Sequence, residues 1–229
     1  MLGVKFDDIH SYYDLGLYLF EKEIGAPEIK VNKVELTGAD GDIDLSNAIS
    51  GRPVFKNRIL SFKFGVLNPK EKWATINSKI LNTLHGKRMK VIIDDDKTYF
   101  YIGSISVNTW KSSKTHGEFV IECDVEPYKY SIVESDEDWL WNPFSFIDGI
   151  AQTTRYTVAG TRKAVILTNS ENIPEFISDC NLEIQFEGKT YNMTAGIKKF
   201  YDLKLHAGKN EITFIGNGNV KVVYREKKL

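Results

Sequence analysis

Cysteine is scarce in this chain, with only Cys123 and Cys180 among 229 residues. A lone pair so far apart is neither a disulfide framework nor a metal knuckle, and it suits a reducing compartment. Charge of one sign is lacking too: 30 basic residues against 31 acidic ones leave a formal charge of −1. Lys and Arg are dispersed rather than clustered, so direct nucleic-acid binding is not expected. No apolar run approaches the roughly 18 to 20 residues of a membrane helix. The N-terminus has no basic stretch followed by a signal-type apolar segment, so folding in a cytoplasm without membrane association is expected. Solenoid repeats and low-complexity tracts are missing as well. What is present is an ordinary globular composition, 42% hydrophobic and 27% charged, enough for one large domain or two small ones.

Apolar residues recur in twos along most of the chain. Leu60, Phe62, Phe64 and Val66 fall on one face of a predicted strand, opposite Ser61, Lys63 and Gly65. Phe119, Ile121, Cys123 and Val125 point inward in the same way, against Glu118, Glu122, Asp124 and Glu126, which makes Cys123 a small buried hydrophobe. Similar patterns predict strands over 16–21, 28–37, 88–93, 98–110, 163–168, 182–186, 200–205, 211–215 and 220–225. Turn residues punctuate them at 38–41, 94–97, Gly188, Gly208 and 216–218.

One segment breaks the alternation. Trp73, Ile76, Ile80, Leu81 and Leu84 lie at helical spacing and predict a helix over 69–85. Asn68 is placed to cap it, Pro69 to occupy the first position, Glu71 to complete a capping box and Gly86 to take the left-handed exit. A single helix cannot cover so many strands, so most apolar strand faces must pack on one another as sandwich layers. The expected fold is mainly β, with two β-sandwich domains, the first carrying the helix and an extended hairpin. Between Pro127 and Gly149 the strands stop, and Glu134, Asp136, Glu137 and Asp138 precede the aromatic run Trp139, Trp141, Phe144 and Phe146. The division expected is an N-terminal β domain over 1–131, a linker over 132–149 and a C-terminal sandwich over 150–229.

The motifs that carry chemistry are mostly absent. Asp40, Asp42 and Asp44 match the first, third and fifth places of a calcium loop, but Leu45 stands where the sharp turn needs Gly and Gly51 where a bidentate Glu belongs. Asp94, Asp95 and Asp96 read as a solvated hairpin tip rather than a paired acid and base. His10, His85, His116 and His206 are scattered, with no ligand spacing that zinc uses. There is no nucleophile elbow, P-loop or dinucleotide fingerprint. Asn192 and Thr194 form a formal glycosylation sequon in a chain without a secretion signal. Sugar binding would want exposed aromatic platforms, yet all four tryptophans, Trp73, Trp110, Trp139 and Trp141, precede the C-terminal domain. That domain keeps Tyr156, Tyr191, Tyr201 and Tyr224. Arg58 reads as half of a structural ion pair. No catalytic, cofactor or metal residue is nominated, and the ligand-binding residues are left open.

Several separated stretches together carry a resemblance. They are residues 3–17, with "SYYDLGLYL" beginning at Ser11; "TGADGDIDLS" from Thr37; "FKNRILSFKF" from Phe55; the helix ending "LNTLHGK"; "KVIIDDDKTYFYIG"; "VIECDVEPYKY"; and the closing "HAGKNEITFIGNGNVKVVYREKKL". In their order and spacing they resemble the distal tail (Dit) proteins of bacteriophages with long non-contractile tails. The resemblance implies a non-enzymatic virion structural protein of a phage or prophage tail tip, at the distal end of the tail and assembled in the host cytoplasm. It implies a homo-hexameric ring built from the N-terminal domains around a channel that DNA passes without being bound. The implied partners are the tail tube protein, the tail-associated fibre or hub protein, and receptor-binding or baseplate proteins. The C-terminal domain is expected to be galectin-like and peripheral, and the hairpin over 94–101 to take part in subunit contact. The alternative reading is a carbohydrate-binding module that uses the C-terminal sandwich.

Overall fold

Phe62, Phe64, Phe119 and Ile121 are completely buried, and the strands that carry them lie side by side, with Phe62 opposite Ile121 and Phe64 opposite Phe119. Each such ring removed from water contributes about 1.5 to 3 kcal/mol, so this pair of strands organises the first core. The computed structural model describes residues 2–38, 40–48, 51–113, 116–135, 137, 150 and 152–229. The protein is mainly β and divides into two compact units, one reaching to Lys129 and including Leu229, the other running from Tyr130 to Lys228.

The first unit contains β1 (Val4–Phe6), β2 (Ile9–His10), β3 (Leu17–Ile24), β4 (Lys33–Glu35), β5 (Asp42–Asp44), β6 (Arg58–Val66), a 3-10 turn (Lys70–Lys72), α1 (Trp73–Leu84), β7 (Arg88–Ile93), β8 (Tyr99–Ser112) and β9 (Gly117–Val125). Its main sheet runs β2-β1-β7-β8-β9-β6-β3, with every pairing antiparallel. β2 and β3 stand at opposite ends of this path but are joined by only six residues, 11–16. Seven strands laid flat would separate those edges by about 29 Å, whereas the connection reaches at most about 24 Å. The sheet therefore curls on itself. Ser11 fastens the closure, donating its N–H to Val4 O (2.9 Å) and accepting the Leu17 N–H at its own carbonyl (2.8 Å).

Helix α1 buries Trp73, Ile80 and Leu84 and packs Ile76 against the core, whereas Leu81, which the spacing puts on the same stripe, is 37% exposed. Its entry differs from expectation. Neither the 3-10 turn nor α1 has a side-chain cap, so the Asn68 and Glu71 box is not formed. Asn68 acts through its backbone instead, its carbonyl accepting the Trp73 indole N–H at 2.8 Å. Burying an indole N–H without a partner would cost more than an uncapped, solvated first turn. Gly86 takes the left-handed exit as predicted (φ 74°).

Arg58 shares a strand face with Leu60, Phe62 and Phe64 and is buried like them. Among the described residues it forms no carboxylate pair. Its guanidinium instead lies 4.7 Å from the centre of the Tyr101 ring, with Nε and Nη2 free of hydrogen-bond partners. The β4–β5 ribbon stands apart as a two-stranded sheet of its own, joined to the rest through the Ile29–Phe55 bridge.

β10 (Lys129–Ser131) falls where the units divide. The second unit then contains β11 (Arg155–Thr168), β12 (Glu175–Ser178), β13 (Leu182–Phe186), β14 (Lys189–Met193), β15 (Gly196–Lys199), β16 (Gly208–Val223) and β17 (Lys227–Lys228). β11 and β16 pair in continuous register from Arg155↔Lys221 to Thr168↔Gly208. The other edge of β16 takes β13 along its first half and β12 along its second. Phe176 sits beside Val222, about 27 Å along a straight strand from Phe214, yet the Phe176 and Phe214 rings are 6.4 Å apart. The long hairpin is therefore folded over, which stacks the two halves of the sheet on one core.

The corner lies at facing glycines, Gly160 (φ 80°) opposite Gly216 (φ 143°). The sequence reads 216–218 as a hairpin turn; the strand instead runs through it and bends. The strand predicted over 200–205 is likewise absent: Leu203 and Leu205 are buried, and Leu205 makes a single bridge with Asn172. Glu226 accepts the Asn169 N–H at 3.0 Å through Oε2, while burial pushes its pKa above the ordinary carboxylate value.

Three outcomes follow from this packing. Phe62→Ala is expected to lower the unfolding free energy by about 3 to 5 kcal/mol, read from urea midpoints. At Gly216 a methyl group would fall 2.6 Å from Leu182 Cδ2 and 2.9 Å from Asn181 O in a backbone region that suits glycine. Gly216→Ala should therefore cost about 2 kcal/mol, measured in the same way. Because the folded-state pKa of Glu226 is raised, ionising it opposes folding, and this cost sets in as pH rises above the unfolded-state pKa. Glu226→Gln should raise the melting temperature at pH 7, with the gain vanishing in acid, where the wild-type carboxyl is protonated.

Candidate functional site

The turn after β7 carries three consecutive aspartates, and each is held by a different partner. Asp94, only 15% exposed at its side chain, accepts the Gly3 N–H at 2.8 Å through Oδ2. The same oxygen lies 3.1 Å from His10 Nε2, and Lys97 Nζ stands 3.7 Å from the other. Asp95 pairs with Lys22 of β3. Asp96 pairs with Lys129 and accepts the Thr98 hydroxyl at 3.3 Å. The sequence reads these residues as a solvated tip; the curl of the sheet brings β1, β2 and β3 to them instead. The cluster is a clasp, and each carboxylate is occupied by its own chain rather than presented to a substrate.

The other chemical candidates are dispersed. His85 Nδ1 accepts the Val107 N–H at 3.0 Å, His206 Nε2 lies 3.3 Å from Glu187, and the His116 N–H is held by Ser113 Oγ at 2.9 Å. Asp42 and Asp44 belong to β5, where Asp44 accepts the Ser46 N–H at 2.8 Å, and hydrogen bonding from Ser46 keeps its carboxyl below the usual range. Among the described residues no group of three or more His, Cys, Asp and Glu is arranged to hold a metal ion. Cys123 is fully buried, and burial pushes its thiol far above the ordinary value, leaving it inert at neutral pH. Cys180 is half-buried, 3.5 Å from Ser178 Oγ.

Of the tyrosines that the sequence offers as sugar platforms, Tyr156, Tyr191 and Tyr224 are core residues and Tyr201 is exposed. Trp73 and Trp110 pack edge to face at 5.8 Å in the first unit, and Trp139 and Trp141 lie outside the described residues. A groove of about 580 Å³ crosses the second unit, lined by Lys163, Val165, Gln185, Glu187, Lys189 and Glu211 among others. The Lys209 ammonium, 2.7 Å from Glu211, holds that carboxyl below its usual range, the opposite of what a general acid needs. Phe186 is the aromatic residue of the lining, and its ring is buried in the core of the unit rather than laid open for stacking. What the surface offers is geometry: exposed strands, a free-standing ribbon and paired charges.

No protein-family model matches the sequence, and no curated protein matches it. Among solved structures, the crystal structure of the SPP1 Dit protein, described as a paradigm of the hub adsorption apparatus in phages infecting Gram-positive bacteria, superposes with a TM-score of 0.69. The match covers 100% of both chains at 12% sequence identity. The phage p2 baseplate in its activated conformation with strontium matches with a TM-score of 0.42 at 8% identity, covering 100% of this chain and 99% of that one. The first likeness establishes the fold, and at that identity the fold alone: from end to end, this chain is folded like a phage Dit protein.

Proposed function

We propose that this chain is a structural hub protein of a phage or prophage tail tip. The observation that carries the proposal is the full-length match in fold to the SPP1 Dit protein, with no part of either chain left over. The sequence motifs quoted above support it by their order, and the aspartates after β7 are engaged by residues of the same chain.

In this reading six copies close into a ring through their N-terminal domains, 1–131, and a linker over 132–149 leads to a galectin-like C-terminal domain, 150–229, on the rim. The ring continues the tail tube above and meets the tail-associated fibre or hub protein below, with receptor-binding or baseplate proteins at the periphery. DNA passes through its channel without being bound, consistent with the near-zero net charge. The protein has no catalytic role, takes no cofactor, and resides at the distal end of the virion tail after assembly in the host cytoplasm. A ring needs a head-to-tail contact whose rotation closes, and the edge strands of the first unit offer such joins.

Light scattering of the purified protein should give a mass of roughly 160 kDa if six chains of 26.1 kDa close symmetrically, and negative-stain images should show annuli with an open centre. A one-chain mass at micromolar concentration would overturn the ring.

A further inference from the structure

Seven polar or charged residues are buried among those described, and six of them are satisfied. The hydroxyls of Ser11, Thr154, Thr168 and Ser178 and the amides of Asn172 and Asn210 all hydrogen-bond within the chain. Arg58 is the exception: it is 6% exposed, and its Nε and Nη2 have no hydrogen-bond partner. A buried polar group left unpaired is rare and costly, and a guanidinium cannot escape the cost by giving up its charge. Glu226 also has one buried oxygen without a partner, but a carboxyl can take up a proton, and burial pushes it in that direction.

The surroundings of Arg58 supply no acceptor for those two groups. It stands on one rung with Val125, Gly103 and Met89 of β9, β8 and β7, all of them buried. Val125 and Met89 bring no oxygen on their side chains. Gly103 brings no side chain at all, because the β9 backbone crowds its place: a methyl group there would fall 2.1 Å from Asp124 O. Tyr101, two residues along β8 from Gly103, attracts the guanidinium through the face of its ring, which leaves the N–H edge unengaged. The carboxylates that follow in β9 and after it turn the other way: Asp124 is exposed, and Glu126 pairs with Arg88. Arg58 opens β6 and Val125 closes β9, so this rung is the end layer of that strand pair, nearest to solvent along the strands.

The two free groups are not an arbitrary pair. Nε–H and the neighbouring Nη2–H point in parallel from one edge of the guanidinium, the edge that meets two oxygens of a carboxylate or phosphate side-on. We infer that Arg58 anchors a binding site for a small oxyanion, held by Nε–H and Nη2–H on one edge of the guanidinium while the Tyr101 ring engages its charge. The ion is a free one. At 6% exposure the edge is reached by an ion of formate or phosphate size through the strand ends, whereas a side chain on a folded partner would have to bring its backbone along. Bound there, the ion neutralises the buried cation of the first core. The site goes beyond the tail-hub reading and does not depend on it.

The test follows the melting temperature of the full-length protein in sodium chloride, sodium formate and sodium phosphate at equal ionic strength and pH 7. Relative to chloride, formate or phosphate should raise the wild-type value by about 3 to 6 °C for each tenfold in concentration above half-saturation. Arg58→Met should melt higher than the wild type in chloride, since the uncompensated charge is gone, and its response to the other salts measures the general salt effect to be subtracted. Arg58→Lys keeps the charge without the fork and should need about tenfold more oxyanion for the same shift. Calorimetric titration of formate and of phosphate into the wild type should give one ion for each Arg58, and it decides the matter should either variant fail to fold. A response to formate alone assigns the site to carboxylates and a response to phosphate alone to phosphate; each supports the site. A wild type that binds neither ion, or a folded Arg58→Met that responds as strongly as the wild type, overturns it.

Discussion

Nearly every strand in this protein has one apolar face, and a single helix of twelve residues is the only helical cover among the described residues. Sheet must therefore be buried on sheet, and both units are answers to that constraint. The first curls a sheet until β1 and the edge strand β3 are joined through Ser11, caps part of the core with α1, and fastens the turn after β7 with Asp94, Asp95 and Asp96. The second folds one long hairpin at facing glycines, so that the two halves of β16 contribute to the same core. Backbone ladder and apolar packing reinforce each other in both cases. The ladder fixes which residues alternate inward, and the bend or curl brings those residues together.

The elements that were legible in sequence are those in which local periodicity and tertiary burial agree. β6 and β9 alternate without interruption, and the stripe of α1 needs no knowledge of its neighbours. The misreadings share a physical cause. Gly216 and Gly218 are turn residues by chemistry, but whether a glycine pair reverses a chain or bends a continuing strand depends on the partner strand opposite it, here Gly160 of β11. Leu203 and Leu205 alternate like a strand, yet they bury without a ladder, since alternation reports which side is wet rather than what the backbone bonds to. Asn68 has the right side chain for a cap, and its carbonyl was claimed by Trp73. The triple aspartate read as solvated because its cations, Lys22 and Lys129, and its neighbour His10 lie far away along the chain.

For a site, the sequence nominated no residues, because its carboxylates and histidines carry no spacing that marks a function. A ribbon such as β4–β5 is harder to recognise: in sequence, Val34, Leu36, Ile43 and Leu45 look like any strand pair with a core beneath them. Only the structure reveals that the core is missing on that side. A fold kept at 12% identity makes the same point from the other direction. What such chains share is the placement of wet and dry faces and of bends, which many different residues can satisfy.

The continuous β11–β16 register has one more consequence. Arg155 and Lys221 are Cα partners, so the chain enters and leaves the bent hairpin on one rung, with its two ends about 5 Å apart. A module anchored at a single doorway can be exchanged for another of different size, provided that the newcomer also brings its ends side by side. The shared rung makes residues 155–221 a segment that starts and finishes at one place on the chain.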